Sequence, residues 1–592
     1  MKRNEIDVKY TWDLSKFYKS DAEWYADFKI AKTYKGKFLK YKGKLNSKQS
    51  LLEYFEFSKK VSLLIDKLYM YASNNLNINL DSAAYSEMTN LVIALASELD
   101  AEDSFSEPEL LGYSEEYFKE LIADKNFKNH KLYFKNLLRD KKHILTEAEE
   151  KLLSGVKNFA GDSADLFDGL TNVDFKFEDV TDSNGKTYPL TKTNASTYFE
   201  SHDRVLRKSA SENYNKKFKE FNNTIAINYI NNLKADHFFS VARKFKNTFE
   251  ASLYAENVSK KLYNKLIEQT HKNIPLINKY YALRKKALGV DKLFGYDLSV
   301  SMCKDFDKKF TFEETKQIIL EALKPLGEQY LNMVKHVFDN RWIDVYPCDG
   351  KRSGGYESDM YGISPVILYN FEGTLQDVVG VAHEIGHAMH TVKAQSAQPY
   401  ELAEYTIFLA EIASTFNEVL VFKYLIEHAK TKEEKLYFLD NYLTLFRAAI
   451  FAQVEYSEFE QFAHGLVANN KPISKDVLNA KAEELGSKYN TVCEKTELGY
   501  VWWSVVPHFY TSFYVYKYAT GLVSAVSLAS KVLTGEKQEL EKYFKFLSAG
   551  GSNFSTTILK NAGVNLETNQ PYELAFSELE NIIKQMEEII NN

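Results

Sequence analysis

Two histidines four residues apart, in the run Val378-Val-Gly-Val-Ala-His-Glu-Ile-Gly-His-Ala-Met-His390, constrain this chain more than any other stretch. In an α-helix His383 and His387 lie on one face, one turn apart. Their neighbours Val378, Val379, Val381, Ala382, Ala388 and Met389 are apolar, which predicts a buried helix. Unpartnered polar groups in such a helix are costly, and a shared metal ion would satisfy both rings. Zn²⁺ is the usual occupant of H-E-x-x-H, and Glu384 between the ligands is placed to act as general base on a zinc-bound water.

A third ligand is needed from elsewhere. Continuation of the motif with Gly and then His at the next offsets is absent, because His390 and Lys393 stand there. The alternative is a carboxylate from a following helix. Residues 399–422 read as that helix, with Glu404, Glu411 and Glu418 spaced by seven and so close to one face. Spacing alone does not choose among them. Glu411 is central and has the most apolar neighbours, which favours it over Glu404, and Glu418 then becomes an acceptor for a ligand imidazole.

The surrounding chain is expected to be mainly α. It has 592 residues but only 10 prolines and 25 glycines, so long helices are favoured. Two stretches depart from helical periodicity. Around 171–195, Val173, Phe175 and Phe177 alternate with polar residues before an Asn-Gly turn, which predicts a β-hairpin. Around 341–372, a turn-rich segment with Gly354 and Gly355 precedes a short strand at 365–371, which could serve as an edge for an extended peptide. The hairpin suggests a division into an N-terminal helical region, 1–195, and a catalytic region, 196–592.

Further inferences concern setting. A net charge of −6 gives no electrostatic support to nucleic-acid binding. The N-terminus carries no apolar signal segment, and no apolar run reaches membrane-spanning length. Cys303, Cys348 and Cys493 are too few and too scattered for a disulfide framework, which points to a reducing cytoplasm. Near the C-terminal end, His508 is followed closely by Tyr510, Tyr514, Tyr516 and Tyr518. Such tyrosines are commonly core residues, yet together with an imidazole they can also stabilise an oxyanion. Ser548-Ala-Gly-Gly-Ser552 reads as a flexible loop.

Several of these stretches agree with one family. Thr11-Trp-Asp-Leu14, Gly350-Lys-Arg-Ser-Gly-Gly-Tyr356, Ala382–His390, Ala410–Glu418, Pro507–Gly521 and Leu547–Ser552 occur in the order seen in oligoendopeptidase F, of the thimet-oligopeptidase-like zinc peptidases, which the chain resembles over its whole length. Two departures are visible: Gly355 stands where alanine is common, and Tyr369 and Phe371 replace a Leu-Asn-Tyr type strand.

The resemblance implies two helical lobes around a deep substrate channel. It implies one Zn²⁺ per chain on His383, His387 and Glu411, with Glu384 as catalytic base. It implies His508, Tyr516 and Tyr510 at the oxyanion, and Tyr514, Gly354, Gly355 and Tyr356 against the substrate. The implied activity is hydrolysis of internal bonds in short unstructured oligopeptides. A related carboxypeptidase, a peptide-binding scaffold with a dead or metal-free site and an enzyme for whole proteins with an open cleft are the competing readings.

Overall fold

The computed structural model describes residues 2–591 apart from 305 and 307. The chain is mainly helical, as expected. In chain order the elements that matter below are α1 (Lys48–Ile78), α2 (Ala83–Asp103), β1 (Val180–Thr181), β2 (Thr187–Tyr188), α3 (Lys260–Ala287), β3 (Ile343–Asp344), β4 (Tyr356–Met360), β5 (Ile363–Leu368), α4 (Leu375–Ala397), α5 (Ile407–Glu427), α6 (Lys537–Leu547) and α7 (Gln570–Asn591). No helix among the described residues is long and apolar enough to cross a membrane.

The chain divides into two compact units, each assembled from three separate segments. The first comprises 1–142, 308–424 and 531–563; the second comprises 143–307, 425–530 and 564–592. The boundary expected near 195 falls inside the second unit.

In the first unit, α1 and α2 form the body of an apolar core. Ser47 and Ser82 cap them by accepting the amides of Ser50 and Tyr85. Buried Leu51, Val61, Leu68, Met88, Val92 and Leu95 recur at helical spacing, each stabilising the fold by about 1.5–3 kcal/mol relative to exposure. Met360, Val366 and Leu368 of the sheet join the same core.

That sheet has the order β3-β5-β4, with β3 parallel and β4 antiparallel to β5. The strand expected to be a free edge, β5, is therefore central. The edge on the other side is β4, which carries a bulge between Ser358 and Met360.

The loop before β4 is held by Lys351, whose buried ammonium pairs with Asp344 at 2.8 Å and donates to the carbonyls of Tyr346 (2.7 Å) and Tyr369 (2.5 Å). The same Asp344 accepts from Arg3 and from the amide of Trp12, so the N-terminal segment is tied to β3.

In the second unit, β1 and β2 form the expected hairpin around the Asn-Gly turn, with Val180 opposite Tyr188. The preceding stretch, Gly169–Asp174, is π-helical rather than extended. Phe175 and Phe177 alternate in sequence because they pack on Phe218 and Tyr214, not because they belong to a strand. The final helix α7 lies on α3, and a buried Arg284–Asp440 pair at 2.9 Å is completed by Tyr280.

Candidate active site and metal centre

Helix α4 begins at Thr374, which forms a capping box with Asp377 and fixes the helix directly after the sheet. The H-E-x-x-H stretch sits in its middle, with Val378, Val381, Ala382, Ile385, Ala388 and Met389 fully buried. Helix α5 crosses it at Gly386. A Cβ built on Gly386 would lie 2.5 Å from Ser414 Cα and 2.7 Å from the Ala413 carbonyl. Only glycine permits this approach. Asn417 locks the crossing by donating to the Ala382 carbonyl at 3.1 Å.

We expect Gly386→Ala to cost about 1–3 kcal/mol through overpacking and to separate the two helices. Thermal unfolding together with metal affinity reads this directly, and an unchanged pair of values would contradict the close crossing.

The crossing brings three donors together. The Nε2 atoms of His383 and His387 are 3.1 Å apart, and Glu411 Oε2 lies 3.4 Å from the first and 4.0 Å from the second. Among the described residues these are the only three or more histidine, cysteine or carboxylate groups whose donor atoms all lie within 4.8 Å of one another. Behind them, His383 Nδ1 is hydrogen-bonded to Glu418, two turns along α5 from Glu411.

The pair Glu411 and Glu418 thus keeps the spacing read from the sequence, while Glu404 leaves it. A short helix, Tyr400–Ala403, ends before Glu404, which is extended, and α5 starts afresh at Ile407. The loop at 548–552 causes the break. Gly551 donates to the Leu402 carbonyl at 2.8 Å, and a Cβ on Gly550 or Gly551 would come within 2.2 Å of the Leu402 oxygen or 2.4 Å of the Glu404 oxygen.

The electrostatics of the donor set match a cation site. Burial opposes charge on His383, yet the carboxylates of Glu411 and Glu418, accepting from its ring N–H groups, push its pKa up to about 10. Burial and the charge of His383 push His387 down to about 4. Burial raises the Glu411 carboxyl, but its hydrogen bond to His383 and the charges of both histidines lower it further. Two imidazole nitrogens and one carboxylate oxygen are the donor types of a catalytic zinc site that keeps a position open, so the residues fit the metal.

Glu384 stands beside this group without belonging to it. Its carboxylate is bonded by the backbone N–H of Glu357 at the edge strand, and burial, partly offset by the charge of His383, raises its pKa to about 7. His390, three residues after His387, is fully buried between Tyr405 and Phe546, and burial lowers its pKa to about 3. It is a neutral core residue, not a ligand.

The donor set lies in the wall of a cavity of about 840 Å³ in the first unit. Gly355 and Tyr356 line it. The Tyr356 hydroxyl, however, is committed to α1: it receives from Asn77 at 2.7 Å and donates to Asn74 at 3.1 Å. Gly354 is not part of the lining; at φ +88° it turns the loop, and its carbonyl accepts from Asn370.

The two departures noted at 355 and 369 explain each other. A Cβ on Gly355 would sit 2.8 Å from the Tyr369 ring, and one on Gly380 would meet the Tyr369 hydroxyl at 2.0 Å. Glu357, Asp359, Tyr405 and Asp66 also line the cavity. No motif marks them in the sequence; only the alternation along β4 hints at the first two.

The aromatic group around His508 belongs to the second unit. Tyr516 is only 1% exposed, its ring packs on Tyr263, and burial raises its hydroxyl pKa far above the usual tyrosine value. Tyr510 packs on Phe167 and Tyr229 with its hydroxyl shielded from solvent. As folded, Tyr516 is buried and Tyr510 half-buried, and neither hydroxyl is exposed to solvent. The accessible members are His508, Tyr514 and Tyr518. The rings of His508 and Tyr514 are near-parallel with centroids 6.1 Å apart, and the Tyr518 hydroxyl is 3.4 Å from His508 Nε2.

Comparison with known proteins is decisive for the family. Residues 197–578 match the description of peptidase family M3, and residues 109–177 match a region described as oligopeptidase F. The chain belongs to peptidase family M3.

Oligopeptidase PepF of Bacillus subtilis (strain 168) is 33% identical over 595 residues, covering 99% of this chain and 88% of that one. A crystal structure of a Chlamydophila abortus protein superposes with a TM-score of 0.94 at 30% identity and covers 99% of both chains. Oligoendopeptidase-F from Enterococcus faecium gives 0.72 at 28% identity, covering 96% of this chain and 98% of that one. Membership of family M3 makes the chain a peptidase, and its likeness to the oligopeptidase F proteins runs over nearly its whole length.

The Glu418 contact yields a further expectation. Glu418→Gln removes the charge that orients His383 while keeping the shape, and should weaken metal binding by about 10–100-fold. Competition against a chelator of known affinity measures it; an unchanged constant would show that Glu418 is only packed there.

Proposed function

We propose that this peptidase is a zinc-dependent endopeptidase that hydrolyses internal bonds of short, unstructured oligopeptides. The observation that carries the reading is the convergence of His383, His387 and Glu411 at a cavity wall, with Glu384 beside them but outside the donor group. Bound there, zinc would supply Lewis acidity, polarising a carbonyl and making water easier to deprotonate.

The remaining chemistry belongs to the chain. Glu384 takes a proton from the attacking water and returns it to the leaving amine. The Glu357 N–H keeps that carboxylate oriented toward the cavity. Glu418 holds His383 in the tautomer whose Nε2 faces the donor set. The exposed edge of β4 offers main-chain groups to an extended peptide, a form of recognition that does not depend on side-chain identity. The names of the relatives support oligopeptides as substrates.

The resemblance gives the developing oxyanion to His508 with Tyr516 and Tyr510, and sets Tyr514 against the substrate. His508→Ala is accordingly expected to lower kcat by about 10²–10³-fold with little change in KM. A rise in KM alone would assign it to binding instead.

The test of the whole reading is mass spectrometry of products from a pool of short unstructured peptides and one folded protein, with and without a zinc chelator. Internal cuts in the peptides, an intact protein and loss of activity with chelator are expected. Stepwise loss of C-terminal residues would make the protein a carboxypeptidase, and absence of cleavage by zinc-loaded protein would overturn the enzyme reading.

A further inference from the structure

The cavity beside the donor set is unusually acidic. Apart from Glu384 and Glu411, its lining includes Asp66, Glu357, Asp359, Glu401 and Glu404. Glu401 has a counter-ion, Lys59 at 3.1 Å. Among the described residues, Asp66, Glu357, Asp359 and Glu404 have none within ion-pairing distance. Lys16 influences Glu357 only from a distance, its ammonium being bonded to the Pro365 carbonyl at 2.8 Å. Gln395 donates to Asp359 at 2.7 Å, a neutral contact that leaves the charge uncompensated. Glu357 Oε1 is closed off from water and has no hydrogen-bond partner at all.

These carboxylates act on one another. Burial, reinforced by Asp359 and Glu404, pushes Asp66 up to about 6. Burial raises Asp359, with Glu404 adding to the effect, and burial with Asp359 raises Glu357 well above the usual carboxylate range. Gathering like charges in a partly dehydrated cavity costs stability unless a cation enters it.

A second metal ion does not suit the geometry. The His383, His387 and Glu411 group is the one set of three or more such side chains, among the described residues, with donor atoms mutually within 4.8 Å. The other carboxylates surround a space instead of converging on a point. A larger organic cation fits such a space, and a cavity of about 840 Å³ admits a lysine or arginine side chain with room for adjacent backbone. Because the same cavity is walled by Glu384 and His387, whatever it holds lies next to the reacting bond.

We infer that this cavity selects peptides with a positively charged group close to the scissile bond, held among Asp66, Glu357, Asp359 and Glu404. The inference rests on the peptidase reading above and names the substrate class that its site prefers. An ammonium or guanidinium is the recognised chemistry, whether it comes from a lysine or arginine side chain or from the peptide's own N-terminus.

The test uses the zinc-loaded full-length enzyme and a set of quenched fluorescent peptides. Each position around one cleavable bond carries lysine or, in a matched peptide, norleucine. Every peptide is made with a free and with an acetylated N-terminus, and cut sites are mapped by mass spectrometry. At one position the wild-type enzyme should favour lysine over norleucine by at least about tenfold in kcat/KM, or should favour the free N-terminus by a similar factor. The arm that responds identifies the source of the cation.

The doubly substituted Asp359→Asn, Glu404→Gln protein should bring that ratio to within about threefold of unity. Asp66→Asn, reported with its thermal unfolding curve, should lower the ratio as well. Cleavage of all peptides by the wild type without cation preference would overturn this inference and leave the peptidase reading standing. A preference that persists undiminished in the variants would also overturn it. Failure to cleave any peptide would overturn both.

Discussion

Glu384→Gln should retain zinc and fold normally while losing about 10²–10⁴-fold in kcat/KM. The substitution is nearly isosteric, and the amide can still accept the Glu357 N–H. What it cannot do is take up a proton. Glu384 lies on α4 between the two histidines but outside the donor group, so its removal leaves the metal-binding atoms in place. Its carboxylate lines the cavity in which a peptide would lie. Metal content, a thermal unfolding curve and kcat/KM on one quenched peptide together separate the possibilities. Turnover within about tenfold of wild type would remove Glu384 from the base role. Loss of metal would instead show that its charge helps hold the ion.

Glu411→Ala should weaken zinc by more than the roughly 10–100-fold expected for a supporting carboxylate, whereas Glu404→Ala should leave zinc affinity close to that of wild type. The contrast follows from where α5 begins. Glu411 is one turn into that helix and its Oε2 faces both imidazoles at 3.4 and 4.0 Å. Glu404 lies in the extended stretch before it, held by the loop at 548–552. Competition with a chelator gives both constants on one scale. Equal losses would mean that either carboxylate can reach the ion, and the convergence seen here would not define the site.

The histidine pair was legible because its signal is local. A helix places residues four apart on one face wherever the rest of the chain goes, so His383, Glu384 and His387 needed no tertiary information. The same holds for Glu411 and Glu418, which share one continuous helix. Glu404 was misplaced because the break at 404–406 is imposed by Gly550 and Gly551, nearly 150 residues later. Periodicity carries no record of a backbone that arrives from so far away.

The 365–371 segment was correctly read as extended, but its position in the sheet was not. A central strand and an edge strand can carry the same apolar pattern, and β5 becomes central only because β3 pairs with it from a distant turn. Tyr510 and Tyr516 show the opposite limit. A tyrosine in an apolar segment has the same sequence signature whether its hydroxyl meets solvent or core. Burial places Tyr516 in the core and shields the Tyr510 hydroxyl, while His508 stays exposed and Tyr514 and Tyr518 half-buried.

The sequence by itself determined the helical class, the histidine pair His383 and His387 with Glu384 between them, and the family, because each depends on short spacing or on an ordered series of local motifs. The tertiary structure alone decided how closely α4 and α5 cross at Gly386, which of the acidic residues meets the histidines, and that Asp66, Glu357, Asp359 and Glu404 share one cavity. Those facts depend on distances between segments tens to hundreds of residues apart. Such distances are set by packing of the whole core, to which no local pattern has access.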